Sequence, residues 1–107
     1  MDVWAEVEKL QGKTLKTLAQ NKPFDVVLVG TQRVIVRPHV RGVERPIRRE
    51  AIEDAFGELA MRGELTRSEI QERYSNFNPA YVAAILAALP GVTYSLNPIR
   101  LRHQAAR

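Results

Sequence analysis

Apolar positions along this chain change their spacing part-way, and the change divides it into two kinds of structure. Val3, Val7 and Leu10 fall on one stripe with Trp4 beside it, predicting a short helix that Asp2 caps and that Gly12 stops. Extended segments follow. Lys13–Leu18 is a modest strand candidate that runs into the turn-like Gln20-Asn21-Lys22-Pro23. Phe24–Val29 and Arg33–Arg37 are rich in β-branched residues and separated by Gly30-Thr31-Gln32, the pattern of a hairpin. Pro38 and Gly42 interrupt the alternation before Glu44–Ile47, a candidate edge strand.

From about Arg48 the apolar period lengthens from two to roughly 3.6. Ile52, Ala55, Phe56 and Leu59 mark the buried face of a helix that stops at Gly63, with Glu50, Asp54 and Glu58 on its outer side. Thr66-Arg67-Ser68-Glu69 is a capping box flanked by Leu65 and Ile70 as a hydrophobic staple, so a second, short helix is predicted from Arg67 to Tyr74. Asn78-Pro79 starts a third, with Val82, Ile85, Leu86 and Leu89 inward and Pro90-Gly91 as its stop. Val92, Tyr94 and Leu96 then alternate into an Asn97-Pro98 turn. Ile99 and Leu101 return on one face with Arg100 and Arg102 on the other, and the chain is expected to fray from about His103.

The order over residues 48–102, a helix, a short capped helix, a third helix and a two-stranded hairpin, resembles a winged helix-turn-helix. The resemblance covers about half the chain and is carried by element order and punctuation. It implies that the third helix enters a groove while the hairpin wing touches the nucleic-acid backbone. Ahead of it, Gly12-Lys13-Thr14, Lys22-Pro23-Phe24-Asp25-Val26 and Arg45-Pro46-Ile47 together are similar to small β-modules of prokaryotic restriction or defence proteins. The expected fold is α+β: a short N-terminal helix and a small antiparallel β-module over 1–47, then a three-helix winged-helix-like unit with a C-terminal β-hairpin over 48–107. At 107 residues, these form one compact domain with a core that needs no staples.

Charge sharpens this picture. The net charge is only +4, but residues 31–49 hold six arginines against Glu44 alone. Residues 50–72 hold seven acids against Arg62 and Arg67, and residues 73–107 hold four arginines and no acid. Segments so polarised can fold into one basic and one acidic face, and a basic face orients a polyanion. Arginine outnumbers lysine twelve to four, which suits bidentate phosphate and guanine contacts.

The expected contacts are phosphate-binding Arg37, Arg41, Arg45, Arg48, Arg49, Arg100 and Arg102, with Arg67, Asn76 and Asn78 setting the register. Some of these arginines can instead pair with the acidic helix. The third helix also departs from a base-reading helix: its outer face carries Ala80, Ala83, Ala84, Ala87 and Ala88 and no charge. That face can pack within the chain or form a protein interface through Ala80, Ala84 and Ala87, with a homodimer as one such interface. Trp4 and Tyr81 could stack on bases, although a tryptophan on an amphipathic first helix more commonly plugs a core.

Two partner classes follow: nucleic acid, DNA ahead of RNA, bound with low sequence specificity, or a protein bound by an adaptor or inhibitor in a host–virus or defence setting. Neither implies a metal or cofactor. The absence of cysteine excludes disulfides, a thiolate nucleophile and sulfur-ligated metal sites. His39 and His103 have no partner at ligand spacing, and no phosphate loop or nucleophile elbow occurs, so no enzyme is expected. The longest apolar stretch, Tyr81–Leu89, is about half a membrane span, and no signal-peptide pattern opens the chain. A soluble cytoplasmic protein is the expectation.

Overall fold

The computed structural model describes residues 1–104 of the chain as an α+β fold. The elements run α1 (Val3–Glu8), β1 (Thr14–Lys16), β2 (Pro23–Val29), β3 (Arg33–Pro38), β4 (Arg45–Arg48), α2 (Arg49–Arg62), β5 (Glu64–Thr66), α3 (Arg67–Arg73), α4 (Pro79–Ala87), β6 (Val92–Ser95) and β7 (Arg100–His103). They form two antiparallel sheets, one ordered β1-β2-β3-β4 and the other β5-β7-β6. No described helix is long and apolar enough to cross a membrane.

The first sheet is a meander whose alternation sets its two faces. Val34 and Val36 on β3 are buried while Arg33 and Arg37 point outward, and Ile47 on β4 lies opposite Val34. Leu28, Ile35 and Pro46 face one another across three strands on the outer side, where Leu28 stays exposed. On the inner side, Phe24, Val26, Val34, Val36 and Ile47 join Ile52, Leu59, Leu65, Ile70, Ile85, Leu86 and Leu101 in one hydrophobic cluster. The two parts of the chain on either side of residue 48 therefore share a core. Each large side chain buried there contributes about 1.5–3 kcal/mol.

Local signals end and start the helices where the sequence places them. The Asp2 carboxylate accepts from the Ala5 amide at 3.2 Å, and Gly63 caps α2 at φ 83°, a left-handed conformation that favours glycine. The Thr66–Glu69 capping box is complete, with Thr66 Oγ1 accepting from the Glu69 amide at 3.2 Å and Glu69 Oε1 accepting from the Thr66 amide at 3.0 Å.

Four expectations need correction. Glu64–Thr66 is a strand, which the capping box following it obscured: Leu65 pairs with Leu101, turning the expected hairpin into a three-stranded sheet. His103 is not frayed; it pairs with Val92 and its ring meets Phe56 edge-on at 5.2 Å. Glu58 does not belong to an exposed acidic face, because α3 packs beside it: Arg73 and the capping Tyr74 donate to it, as does Arg62 of its own helix. Asn78 precedes α4 as expected, with Pro79 in the first turn, but its side chain makes no capping hydrogen bond. The expected tail beyond residue 104 lies outside the described residues.

Candidate nucleic-acid interface

Three adjoining depressions gather cationic side chains from both sides of residue 48. The first, about 500 Å³, lies between the β1–β2 turn and α4 and is lined by Gln20, Lys22, Arg67, Ala80, Tyr81 and Ile99 among others. The second, about 400 Å³, shares Lys22 and Tyr81 with it and adds Arg41 and Arg45. The third, about 340 Å³, begins at the next residue of β4 and is lined by Pro46, Arg48, Asn76, Phe77 and Asn78, among others. Among the described residues no carboxylate lines any of the three, although the chain holds twelve. Lys22, Arg41, Arg45 and Arg67 therefore line one groove formed by the first two depressions, and Arg48 lines the third beside it in sequence, all with carboxylate-free linings among the described residues.

Each of these groups is held by local structure. Thr17 is the one buried polar residue among the described residues: its hydroxyl accepts from the Lys22 amide and its own amide donates to the Lys22 carbonyl, both at 3.0 Å. That double clasp fixes the turn and places Lys22 on the groove rim. Arg41 (φ 73°) and Gly42 (φ 64°) are consecutive left-handed residues that turn the chain between β3 and β4. Glycine adopts that conformation freely, whereas an arginine there costs about 1–2 kcal/mol.

Tyr81, in the first turns of α4, meets Phe24 edge-on at 5.0 Å. The Arg45 guanidinium lies 5.9 Å from the same ring centroid, within cation–π range. Arg67 begins α3, and its amide donates to the Ile99 carbonyl at 3.1 Å, tying the groove's end to the second sheet. Asn76, Phe77 and Asn78 form the loop leading into α4; Phe77 is 84% exposed.

Six of the ten expected nucleic-acid contacts, Arg41, Arg45, Arg48, Arg67, Asn76 and Asn78, thus line these depressions. The other four lie elsewhere. Arg37 is shared between Asp25 at 3.7 Å and Glu44 at 3.8 Å, and Arg100 pairs with Glu64 at 3.0 Å. Arg49 pairs with Glu53 at 3.0 Å, donates to the Thr31 carbonyl and covers the Trp4 ring at 4.9 Å. Arg102 is exposed on β7, away from the groove lining. Lys22 is the residue the sequence reading passed over; its signal was the turn Gln20-Asn21-Lys22-Pro23 that brings it beside Tyr81.

The alanine face of α4 is resolved by burial. Ala83 and Ala84 are 1% and 4% exposed, so Ala84 packs in the core and is not available to a partner. Ala87 is half-buried against the same core, and Ala80 lines the first depression. α4 touches β1, and the run Val82–Leu86 is buried throughout, so the middle of the helix has no free face to insert into a groove. Trp4 is equally committed: it is buried, and its indole N–H donates to the Gly30 carbonyl at 2.9 Å.

The acids concentrate at the α2–α3 junction. Glu58 accepts from the Tyr74 hydroxyl and from Arg62, both at 2.5 Å, and from Arg73, while Arg62 also reaches Glu69 at 2.6 Å. The Tyr74 hydroxyl, followed by the Arg62 guanidinium, holds the Glu58 carboxyl down to about 2, and the same contact raises Tyr74. The Thr66 backbone amide, then Arg62, lowers Glu69. Asp25 is lowered by His39, at 2.9 Å, and by the Thr14 hydroxyl at 2.6 Å.

Comparison with protein-family models, curated proteins and solved structures finds no match to this chain.

Proposed function

We propose that this is a small cytoplasmic DNA-binding protein of a prokaryote or its virus, holding phosphates along the acid-free groove with low sequence specificity. The observation that carries the reading is that Lys22, Arg41, Arg45, Arg48 and Arg67 line depressions in which no described carboxylate takes part. The order of α2, β5, α3, α4, β6 and β7, with a three-stranded sheet, supports the resemblance to a winged helix-turn-helix. The burial of α4 argues for phosphate contact over base readout, hence low specificity.

Salt dependence tests this. If these five cations each neutralise a phosphate, affinity for a fluorescein-labelled duplex, read by anisotropy, falls about 500-fold between 50 and 200 mM salt. The variant Lys22→Gln with Arg45→Gln weakens binding to all sequences alike and flattens that slope by about two. Absence of binding at the lower salt rejects the reading.

A second reading, a protein adaptor or inhibitor, draws on a different surface. Leu28, Ile35 and Pro46 leave an apolar row on the outer face of the first sheet, whose outermost strands are β1 and β4.

A further inference from the structure

We propose that the groove takes single-stranded nucleic acid in preference to duplex, with the exposed Phe77 as a base-stacking platform beside the phosphate-binding cations; this rests on the nucleic-acid reading above. A duplex hides the faces of its bases and offers sequence and shape through its grooves, which are entered by a protruding helix or ribbon. Here α4 cannot protrude, because Val82, Ala83, Ala84, Ile85 and Leu86 are all buried. Beside α4, what remains accessible is concave. The depressions of about 500, 400 and 340 Å³ have the scale of small-molecule sites, which admit a base or a sugar–phosphate unit, whereas a duplex can only lay its phosphates along their rims.

Aromatic placement points the same way. An isolated exposed apolar side chain needs no explanation. Phe77 is distinguished by its position: it is 84% exposed, stands between Asn76 and Asn78, and shares its depression with Arg48. Tyr81 borders the other two depressions and is braced by Phe24 behind it. An exposed flat ring beside phosphate-binding cations is the arrangement that holds a strand by stacking and phosphate contact together, without reading sequence. The amide of the exposed Asn76 can meet a Watson–Crick edge, which only an unpaired strand exposes.

The experiment compares fluorescein-labelled oligothymidine, oligouridine and a duplex of equal length by anisotropy at low salt. The expected result is tighter binding of a single strand than of the duplex, by about tenfold or more, with the DNA and RNA arms showing whether the sugar matters. Phe77→Ala weakens single-strand binding about tenfold, a several-fold larger loss than for the duplex. Its melting temperature stays at the parent value because the ring is exposed. Duplex bound as tightly as either single strand, or Phe77→Ala without effect on the single strands, overturns this inference while leaving phosphate binding by the groove intact. No binding of any of the three at low salt removes both.

Discussion

Arg62 and Arg73 at the α2–α3 junction and Arg45 and Arg48 on β4 are the same residue type in opposite electrostatic settings. The first pair converges on Glu58 and Glu69, where carboxylates and a tyrosine hydroxyl match the guanidinium donors. Arg45 and Arg48 have no carboxylate in their lining, and Arg45 is braced only by an aromatic ring. The junction resembles a structural clamp, since charge matched inside the molecule has little field left for a partner. The groove has the reverse character: its cations add little to stability and keep their field for something outside. Counting arginines by segment cannot separate these roles. Finding their carboxylates does.

The largest test bears on the helix between these regions. Ala84→Glu puts an unpaired carboxylate into the core beside Ile85 and Leu86, and should cost about 4 kcal/mol or more, read as loss of the cooperative melt. A stable, folded variant would instead return that face to the list of possible interfaces. Next, reversing the groove charges with Lys22→Glu and Arg45→Glu should lower nucleic-acid affinity at least about 100-fold with little change in melting. The matching change at the clamp, Arg62→Gln with Arg73→Gln, should destabilise the fold and leave affinity nearly unchanged. Equal binding losses from both pairs would erase the distinction.

The clamp also carries a pH signature. Glu58 ionises at about 2 in the folded chain against 4.5 as the ordinary value. Its ionised form is therefore favoured by folding, and that stabilisation is complete above the ordinary value and is lost as pH falls from there towards 2. Glu58→Gln should lower stability near neutrality by about 1–2 kcal/mol and flatten part of the acid limb of the melting-temperature profile. Asp25 and Glu69, also lowered, keep the remainder. The smallest effect is expected at the groove rim. Arg41→Gly relieves the left-handed arginine and should raise stability by up to about 1 kcal/mol while reducing the salt slope by about one. A gain in stability bought at the expense of binding is the mark of a residue kept for its charge.

Much of the local structure was legible in the residues. Val34, Ile35 and Val36 mark a strand, Thr66 and Glu69 a helix start, and Gly63 a stop, because each signal acts over a few residues. β5 escaped notice since Glu64-Leu65-Thr66 is too short to show a period, and its strand character depends on pairing with β7. Four of the five cations of the site were also visible, Arg67 at its helix start among them. Arg41, Arg45 and Arg48 stood out as a basic run, whereas Lys22, an isolated lysine in a turn, carried no such signal. Arg49 belongs to the same run, and only Glu53 and Trp4 beside it remove it from the groove.

The sequence by itself determined the order of helices and strands, the caps that punctuate them and the division of charge along the chain, because propensity, capping and alternation are local physics. Only the tertiary structure decided which charges cancel, since cancellation needs approach within a few ångströms by residues far apart in the chain. Arg73 meets Glu58 from fifteen residues away and Arg100 meets Glu64 from thirty-six. The same holds for α4, whose uncharged alanine face was compatible with a surface or a core until packing buried Ala83 and Ala84.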